Sequence, residues 1–162
     1  MVNDIRIETY EKEVTDEIYA ALKAFLEEAG AEVESQAMMN TPVASGQLKG
    51  NWGHRFKFGD DLAIEIGNAS EHAIWMEYGT GEYAVEGNGR KGGWYIPIGK
   101  GGVSEGTANK YGWPIKYGKK GKKFAFTKGA RPRRMLYNAM KDMAAAIQAR
   151  ANEIIGGRLG GG

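Results

Sequence analysis

The chain is poor in several residue types that carry chemistry: its 162 residues include no cysteine, four prolines and two histidines. The lack of cysteine excludes a disulfide framework, a thiolate metal site and a cysteine nucleophile. No apolar run approaches the roughly 18 to 20 residues of a membrane span, and the N-terminus lacks the basic-then-apolar order of a signal peptide. The content of 42% hydrophobic and 10% aromatic residues predicts a folded protein of single-domain size.

The few candidate catalytic residues form no recognisable constellation. His54 and His72 lie outside any HExxH pattern, and no serine lies in a GxSxG elbow. Glu77 and Glu82 could in principle act as paired carboxylates, but acids in a chain with 20 of them are usually solvated. We therefore predict no enzymatic activity, no cofactor and no metal site.

Glycine, by contrast, is abundant, with 25 residues. Gly87, Gly89 and Gly92 match the G-x-G-x-x-G pattern of dinucleotide-binding proteins. That pattern needs a helix that begins at the third glycine, because the pyrophosphate binds to the free amides of the helix. Here the sequence continues into a strand-like WYIP segment, which argues against a nucleotide site. Residues 82–93 are instead expected to form a flexible loop that becomes ordered on assembly.

Two segments have the apolar spacing of amphipathic helices. The first runs from about Val14 to Met38 and should end at Pro42, since proline cannot donate the next amide hydrogen bond. The second runs from about Pro132 to Ile155. We expect residues 156–162, which are mostly glycine, to form a disordered tail after a single domain of residues 1–155.

Between the two helices the apolar period shifts towards 2, which is typical of strands. Residues 51–58 and 62–66 predict an antiparallel hairpin, and three later segments add short strands: residues 94–98, 113–117 and 123–127. The predicted fold class is α+β, with a long N-terminal helix, a small antiparallel β-sheet with a glycine-rich loop insertion, and a long C-terminal helix. The two helices are expected to cover one face of the sheet.

Charge is distributed unevenly along the chain. The net charge is −7 over residues 1–40, −1 over residues 41–114 and +10 over residues 115–162. The two ends could pair within one molecule, the acidic end of one copy could meet the basic end of the next, or the basic end could face a polyanion. Eight basic residues form the densest cluster: Lys119, Lys120, Lys122, Lys123, Lys128, Arg131, Arg133 and Arg134. They indicate either a soluble hairpin tip or a surface that attracts phosphates.

The order of several short motifs resembles that of a phage protein family. The motifs are Thr41-Pro42-x-x-Ser45-Gly46-x-Leu48-Lys49, Trp52, Glu77-Tyr78-Gly79-Thr80-Gly81, Thr127-Lys128-Gly129 and Pro132. In this order they resemble the head-tail joining, or tail completion, proteins of long-tailed bacteriophages, the gene product ten-like family of the lambdoid type phages, which are also labelled minor capsid or neck proteins. The chain departs from the family pattern at His72, Arg134 and Met135, where the family often has tyrosine, proline and phenylalanine.

The resemblance implies a structural virion protein of the neck that joins the DNA-filled head to the tail. It implies assembly into a ring around the DNA channel, with a hexamer favoured, either by the chain alone or on a head or tail template, and it implies assembly in the bacterial cytoplasm. The partners would be further copies of the chain, head-closure or connector proteins, tail-terminator or tail-tube proteins, and channel DNA through non-specific contacts. The predicted subunit interface is Glu77, Tyr78, Gly79, Thr80, Tyr83 and Trp94. The basic cluster would face the DNA channel or a partner. The alternative function is a small nucleic-acid-binding module without sequence specificity.

Overall fold

The computed structural model describes residues 3–6, 16–42, 46–57 and 62–159. The chain divides into two compact units, and the single domain of residues 1–155 stays a prediction. Unit 1 consists of Met1–Glu77 and Arg134–Gly162, and unit 2 consists of Tyr78–Arg133. Unit 2 is therefore an insertion between two parts of unit 1.

Unit 1 contains a three-stranded antiparallel sheet and two long helices. Its elements in chain order are β1 (Asn3–Arg6), α1 (Asp16–Asn40), α2 (Gly46–Gly50), β2 (Trp52–Lys57), β3 (Ala63–Asn68), α3 (Ala73–Tyr78) and, after unit 2, α5 (Met135–Leu159). The strand order is β1-β3-β2. The pairing of β2 with β3 confirms the predicted hairpin, whose turn lies outside the described residues.

The first long helix, α1, forms as its apolar spacing predicts. Its buried face consists of Leu22, Phe25, Leu26, Ala29, Gly30, Val33 and Ala37. Asp16 and Glu17 occupy the first turn, where negative charge suits the helix dipole. The helix ends two residues later than predicted, where the buried Thr41 hydroxyl donates to the Ala37 carbonyl oxygen at 2.8 Å.

The core of unit 1 lies along α1, which contacts α5 as well as β2 and β3. This differs from the prediction that both long helices cover the sheet, since α5 packs mainly on α1. Gly30 makes the close approach of α1 to the sheet possible. A Cβ atom at Gly30 would lie 2.5 Å from Cδ1 of Ile64 and 3.2 Å from Cδ2 of His54.

Unit 2 contains a second three-stranded antiparallel sheet. Its elements are β4 (Trp94–Pro97), α4 (Glu105–Lys110), β5 (Ile115–Tyr117) and β6 (Lys123–Thr127), with strand order β4-β6-β5. The α+β class and the predicted strands are confirmed, but the strands form two sheets instead of one. The short helix α4 was not predicted. Ser104 caps it, since the Ser104 hydroxyl accepts a hydrogen bond from the Thr107 amide.

The glycine-rich segment forms a loop that makes close contacts inside unit 2, and the expectation that it becomes ordered on assembly stays a prediction. A Cβ atom on Gly89 would lie 2.0 Å from the Gly81 carbonyl oxygen, and one on Gly93 would lie 2.6 Å from the Phe126 ring. The Gly92 amide donates to the Glu82 carboxylate at 3.3 Å. Because β4 follows at Trp94, no helix begins at the third glycine of the G-x-G-x-x-G pattern.

The last helix, α5, extends four residues beyond the predicted end at Ile155. The predicted tail of residues 156–162 therefore starts within this helix. Residues 160–162 lie outside the described part of the chain.

Candidate interaction surfaces

Glu77, predicted as an interface residue, is buried and bound within unit 1. Only 7% of its surface is exposed. Its two carboxylate oxygens accept hydrogen bonds from the amides of Leu136, at 3.0 Å, and Tyr137, at 2.9 Å. These amides lie in the first turn of α5, where no carbonyl of the same helix can reach them and where the helix dipole favours negative charge. Glu77 thus caps a helix that begins almost 60 residues later.

The predicted interface residues Gly79 and Thr80 lie at the base of unit 2. The Thr80 amide donates to the Ala130 carbonyl at 2.9 Å, the Ala130 amide donates to the Thr80 hydroxyl at 2.9 Å, and the Glu82 amide donates to the Lys128 carbonyl at 2.8 Å. We call these four residues, Thr80, Glu82, Lys128 and Ala130, the base ladder. The ladder explains why an E-Y-G-T-G motif accompanies a later T-K-G motif, since the two segments pair with each other.

Glycines make the base ladder compact. A Cβ atom on Gly81 would lie 2.2 Å from the Lys128 carbonyl oxygen, and one on Gly129 would lie 2.0 Å from the Thr80 carbonyl oxygen. Both glycines have positive φ angles, +61° and +115°, which side chains disfavour. The same holds for Gly79, where a Cβ atom would lie 2.8 Å from the Ala130 and Tyr83 carbonyl oxygens.

The aromatic residues of the predicted interface are engaged within unit 2. The Arg131 guanidinium lies 5.0 Å from the centre of the Tyr83 ring, and that of Arg90 lies 5.6 Å from the Trp94 ring. Tyr83 is 37% exposed, whereas Trp94 and Tyr78 are half-buried. Of the six predicted interface residues, Tyr83 is thus the one that offers a large exposed side chain.

An exposed apolar pair on α3 was missed by sequence reasoning. Ile74 is 46% exposed and Trp75 is 53% exposed, while Met76 of the same helix packs against the core. The His72 ring lies 5.3 Å from the Trp75 ring. The sequence did contain a signal for this pair. Ile74, Trp75 and Met76 are three consecutive large apolar residues, and a short helix at the surface can bury only one side. A large exposed tryptophan is typical of residues that dominate protein interfaces.

The structure brings only part of the basic cluster together. Lys119, Lys120 and Lys122 lie at the tip of the β5–β6 hairpin and are exposed, as is Lys116 on β5. None of these four lysines makes an ion pair with a residue that the structure describes. We call them the tip lysines.

The other members of the basic cluster have partners or lie elsewhere. Lys123 forms a 2.9 Å ion pair with Glu105, which raises the pKa of Lys123 through a hydrogen bond and through the carboxylate charge. Lys128 lies 3.4 Å from Glu82. Arg134 belongs to unit 1, where its guanidinium lies 4.6 Å from the centre of the Tyr137 ring. Arg133 is exposed at the end of unit 2.

Net charge divides by unit. Unit 2 contains twelve basic and three acidic residues, a net charge of +9, whereas unit 1 contains ten basic and seventeen acidic residues, a net charge of −7. Two of the three acids in unit 2, Glu82 and Glu105, pair with lysines of the same unit. The excess positive charge of unit 2 is therefore not neutralised inside it.

Within unit 1, glutamates of the acidic helix α1 form ion pairs with a basic residue of α5. Arg150 of α5 binds Glu32 through both guanidinium NH groups and lies 3.6 Å from Glu28. The bidentate geometry is the strongest form of this ion pair. Of the three arrangements that the charge distribution allowed, pairing within one molecule thus occurs for part of α1.

His54 on β2 lies between two carboxylates of α1. Its Nδ1 atom is 2.5 Å from Glu34 and its Nε2 atom is 3.3 Å from Glu27. Burial by itself lowers the pKa of His54, but the hydrogen bonds to Glu34 and Glu27 and the charges of these carboxylates outweigh that effect. The net result is a pKa above the ordinary value of 6.5.

Among the described residues, no group of three or more histidine, aspartate or glutamate side chains is arranged to hold a metal ion. In the same part of the chain, no helix has the length and apolar character needed to cross a membrane.

Comparison with known proteins gave one finding. Residues 6–79 match the HK97-gp10-like family model, described as "Bacteriophage HK97-gp10, putative tail-component". No curated protein and no solved structure matches the chain. The match runs through the unit 1 residues that precede the insertion and ends two residues into unit 2. Over this segment it confirms the resemblance stated above, and it indicates a structural component of the phage tail that is located in the virion.

Proposed function

We infer that this phage tail component joins the DNA-filled head to the tail, and that it acts by assembling into a ring in the neck around the DNA channel. The observation that carries the proposal is the family match over residues 6–79. A ring built from further copies of the chain, with a hexamer favoured, would contact head-closure or connector proteins on one side and tail-terminator or tail-tube proteins on the other.

The exposed apolar pair on α3 supports self-assembly. Ile74 and Trp75 lie inside the matched segment, and about half of each side chain is exposed in the isolated chain. Burying such a pair stabilises a contact by about 25 cal/mol per Å² of apolar surface, and a central tryptophan is often the residue that an interface depends on. We therefore assign the subunit interface to Ile74 and Trp75 of unit 1, in preference to the buried Glu77.

A complementation experiment in the phage tests this function. Particles made without the chain should accumulate as separate heads and tails, and the wild-type chain supplied from a plasmid should restore tailed particles. The double variant Ile74→Ser/Trp75→Ser should not restore them. The matched control is Tyr19→Ser, which removes an aromatic residue that is 53% exposed on α1 and should complement fully.

Two outcomes would contradict the proposal. Normal tailed particles in the absence of the chain would show that it does not join head and tail. Full complementation by the double variant would show that α3 does not form the interface. Light-scattering mass of the purified chain, compared with the 17.7 kDa monomer, measures the ring directly.

A further inference from the structure

We propose that the tip lysines of unit 2 form a docking surface for the phosphate backbone of double-stranded DNA. The assignment rests on the proposed function for its setting, since a ring around a DNA channel would bring duplex DNA within reach. It concerns Lys116, Lys119, Lys120 and Lys122, which lie outside the segment matched by the tail-component family.

The first argument is local charge. Three ammonium groups lie within the four residues 119–122, a segment that spans at most about 13 Å when fully extended. A duplex presents one phosphate charge per roughly 1.7 Å of axis, so several phosphates fit opposite this tip at once. Among the described residues, two of the three carboxylates of unit 2, Glu82 and Glu105, are paired with Lys128 and Lys123, and the third, Glu86, forms no ion pair with a tip lysine.

The second argument is a backbone conformation that folding alone does not favour. Lys120 has φ +58° and Gly121 has φ +70°, which is the pattern of a type I′ hairpin turn. Asparagine, aspartate and glycine are favoured at the position that Lys120 occupies. Any other side chain in this left-handed conformation destabilises the turn by roughly 1 to 2 kcal/mol. A lysine held at such a position indicates a role in binding, where a stored local strain is tolerated.

The third argument concerns the alternative occupant, the acidic unit 1 of a second copy. Six carboxylates that the structure describes in unit 1 already have partners inside it. Glu27 and Glu34 bind His54, Glu28 and Glu32 contact Arg150, Glu65 binds Arg55, and Glu77 caps α5. Asp16, Glu71, Asp142 and Glu153 are exposed as well, so a second copy of the chain offers scattered carboxylates, whereas a duplex offers a continuous row of phosphates.

The test is binding of the purified full chain to a fluorescent duplex of random sequence, followed by anisotropy at several salt concentrations. The variant Lys119→Gln/Lys120→Gln/Lys122→Gln removes three tip charges. The control Lys23→Gln/Lys49→Gln/Lys141→Gln changes the net charge equally but lies in unit 1. Both variants should keep the wild-type circular dichroism spectrum, because all six side chains lie on the surface or its margin.

The wild-type chain should bind the duplex without sequence preference and lose affinity steeply with salt. Removing three phosphate contacts should reduce the slope of log K against log salt by about 2.7. From roughly 50 to 200 mM salt, the wild-type affinity should therefore fall about 40-fold more than that of the tip variant. The control variant should retain the wild-type slope.

A single substitution separates binding from folding. Lys120→Gly relieves the left-handed lysine, so it should raise or preserve the thermal midpoint while it weakens DNA binding and reduces the salt slope by about 1. If the lysine served only the hairpin, binding would be unchanged.

Several results would overturn the assignment. Equal losses in the tip and control variants would show that only net charge matters. Tighter binding to a single strand than to the duplex would exclude duplex DNA as the occupant. Unchanged DNA binding, together with loss of salt-sensitive self-association in the tip variant, would assign the tip to a second copy of the chain. Because the measurement uses purified protein, a chain that binds the duplex through the tip but fails to join heads to tails would separate this proposal from the proposed function.

Discussion

The two units of this protein keep their shapes by different means. Unit 1 is organised by a core cluster of fourteen buried residues, ten of them apolar side chains larger than alanine. Among the described residues of unit 2, the fully buried apolar side chains are those of Ala108 and Ala125. Unit 2 instead holds fourteen of the 25 glycines. All ten glycines with positive φ in the described chain lie there. Side-chain packing specifies the first unit, and backbone turns and hydrogen bonds specify the second.

Gly129→Ala should have the largest effect, and it should be local to unit 2. The new Cβ atom would lie 2.0 Å from the Thr80 carbonyl oxygen, at a φ of +115° that is essentially restricted to glycine. We expect a loss of about 3 kcal/mol or more in the local stability of the base ladder. Hydrogen exchange should show lost protection at the amides of Thr80 and Glu82.

The control for this substitution is Gly87→Ala. Gly87 also has a positive φ, +70°, but no atom lies within 4 Å of its would-be Cβ. Gly87→Ala should therefore lower the local stability of unit 2 by only about 1 kcal/mol. Equal effects of the two substitutions would mean that conformational preference, and not the backbone contact, decides the geometry of the ladder.

Glu77→Ala should be the most damaging of the changes proposed in unit 1. It leaves the amides of Leu136 and Tyr137 without their acceptor, and hydrogen bonds to a charged partner contribute about 1.5 to 3 kcal/mol. We expect a decrease of about 2 to 3 kcal/mol in the free energy of unfolding, measured with denaturant. Glu82→Ala is the control, since the carboxylate of Glu82 lies in unit 2 and its loss should leave α5 intact. A fully stable Glu77→Ala protein would disprove the capping role.

Gly30→Ala should destabilise unit 1 by about 1 to 2 kcal/mol. The new methyl group would lie 2.5 Å from Cδ1 of Ile64. Such overpacking usually destabilises a core by about 1 to 3 kcal/mol, and the better helix propensity of alanine offsets part of this loss. Because the clashing atom is Cδ1 of Ile64, the additional substitution Ile64→Val should restore most of the loss. Denaturation of both single variants and the double variant completes the cycle. Additive losses would mean that the contact is not the cause.

The pair of glycine substitutions sharpens the comparison between the units. In unit 1 the obstacle to a methyl group is the end of a flexible side chain, so a second substitution can remove it. In unit 2 the obstacle at Gly129 is a carbonyl oxygen, which no substitution can remove. If trimming a neighbouring side chain also rescued Gly129→Ala, the distinction between the two means of support would fail.

The smallest effect should be a pH dependence that comes from His54. Because Glu34 and Glu27 raise its pKa in the folded state above 6.5, protonated His54 stabilises the fold. This contribution is fully present below the unfolded value of 6.5 and is lost as pH rises through the raised folded value. Denaturation of the wild-type chain and of His54→Gln at pH 5.5 and pH 8.5 measures it. The variant should lack this decline in stability with pH. An unchanged pH profile would contradict the role of His54.

Periodicity predicted the parts of the fold that side-chain burial determines. The two long helices and the β2–β3 hairpin follow from apolar spacing, and their boundaries were displaced by only a few residues. The short helices α2, α3 and α4 were missed, because five or six residues do not complete two turns of a helical period, and the strand β1 was missed as well. The separation of the strands into two sheets was also missed, since pairing partners are not encoded in the alternation of a single strand.

The candidate surfaces were less predictable than the fold. The motif around Glu77 was noticed, but its role depends on amides 59 and 60 residues away, which no local pattern reveals. Three of the tip lysines, Lys119, Lys120 and Lys122, were found by charge density, whereas Lys116 was missed. Their separation from the other members of the basic cluster required the pairing of the strands and the division into units. The predicted subunit interface stays a prediction, with Ile74 and Trp75 added to it from their exposure.

The base ladder also bears on how a chain of this type can vary. Residues 82 and 128 are fixed to each other by backbone groups, so the sequence between them can lengthen or shorten without changing how the two segments pair. The entropic cost of a longer closed loop rises slowly, by about 0.6 kcal/mol for each doubling. A peptide inserted between β4 and α4 should therefore leave the ladder hydrogen bonds in place, so that the protein would carry a foreign segment on a closed loop whose two ends are held by its own backbone.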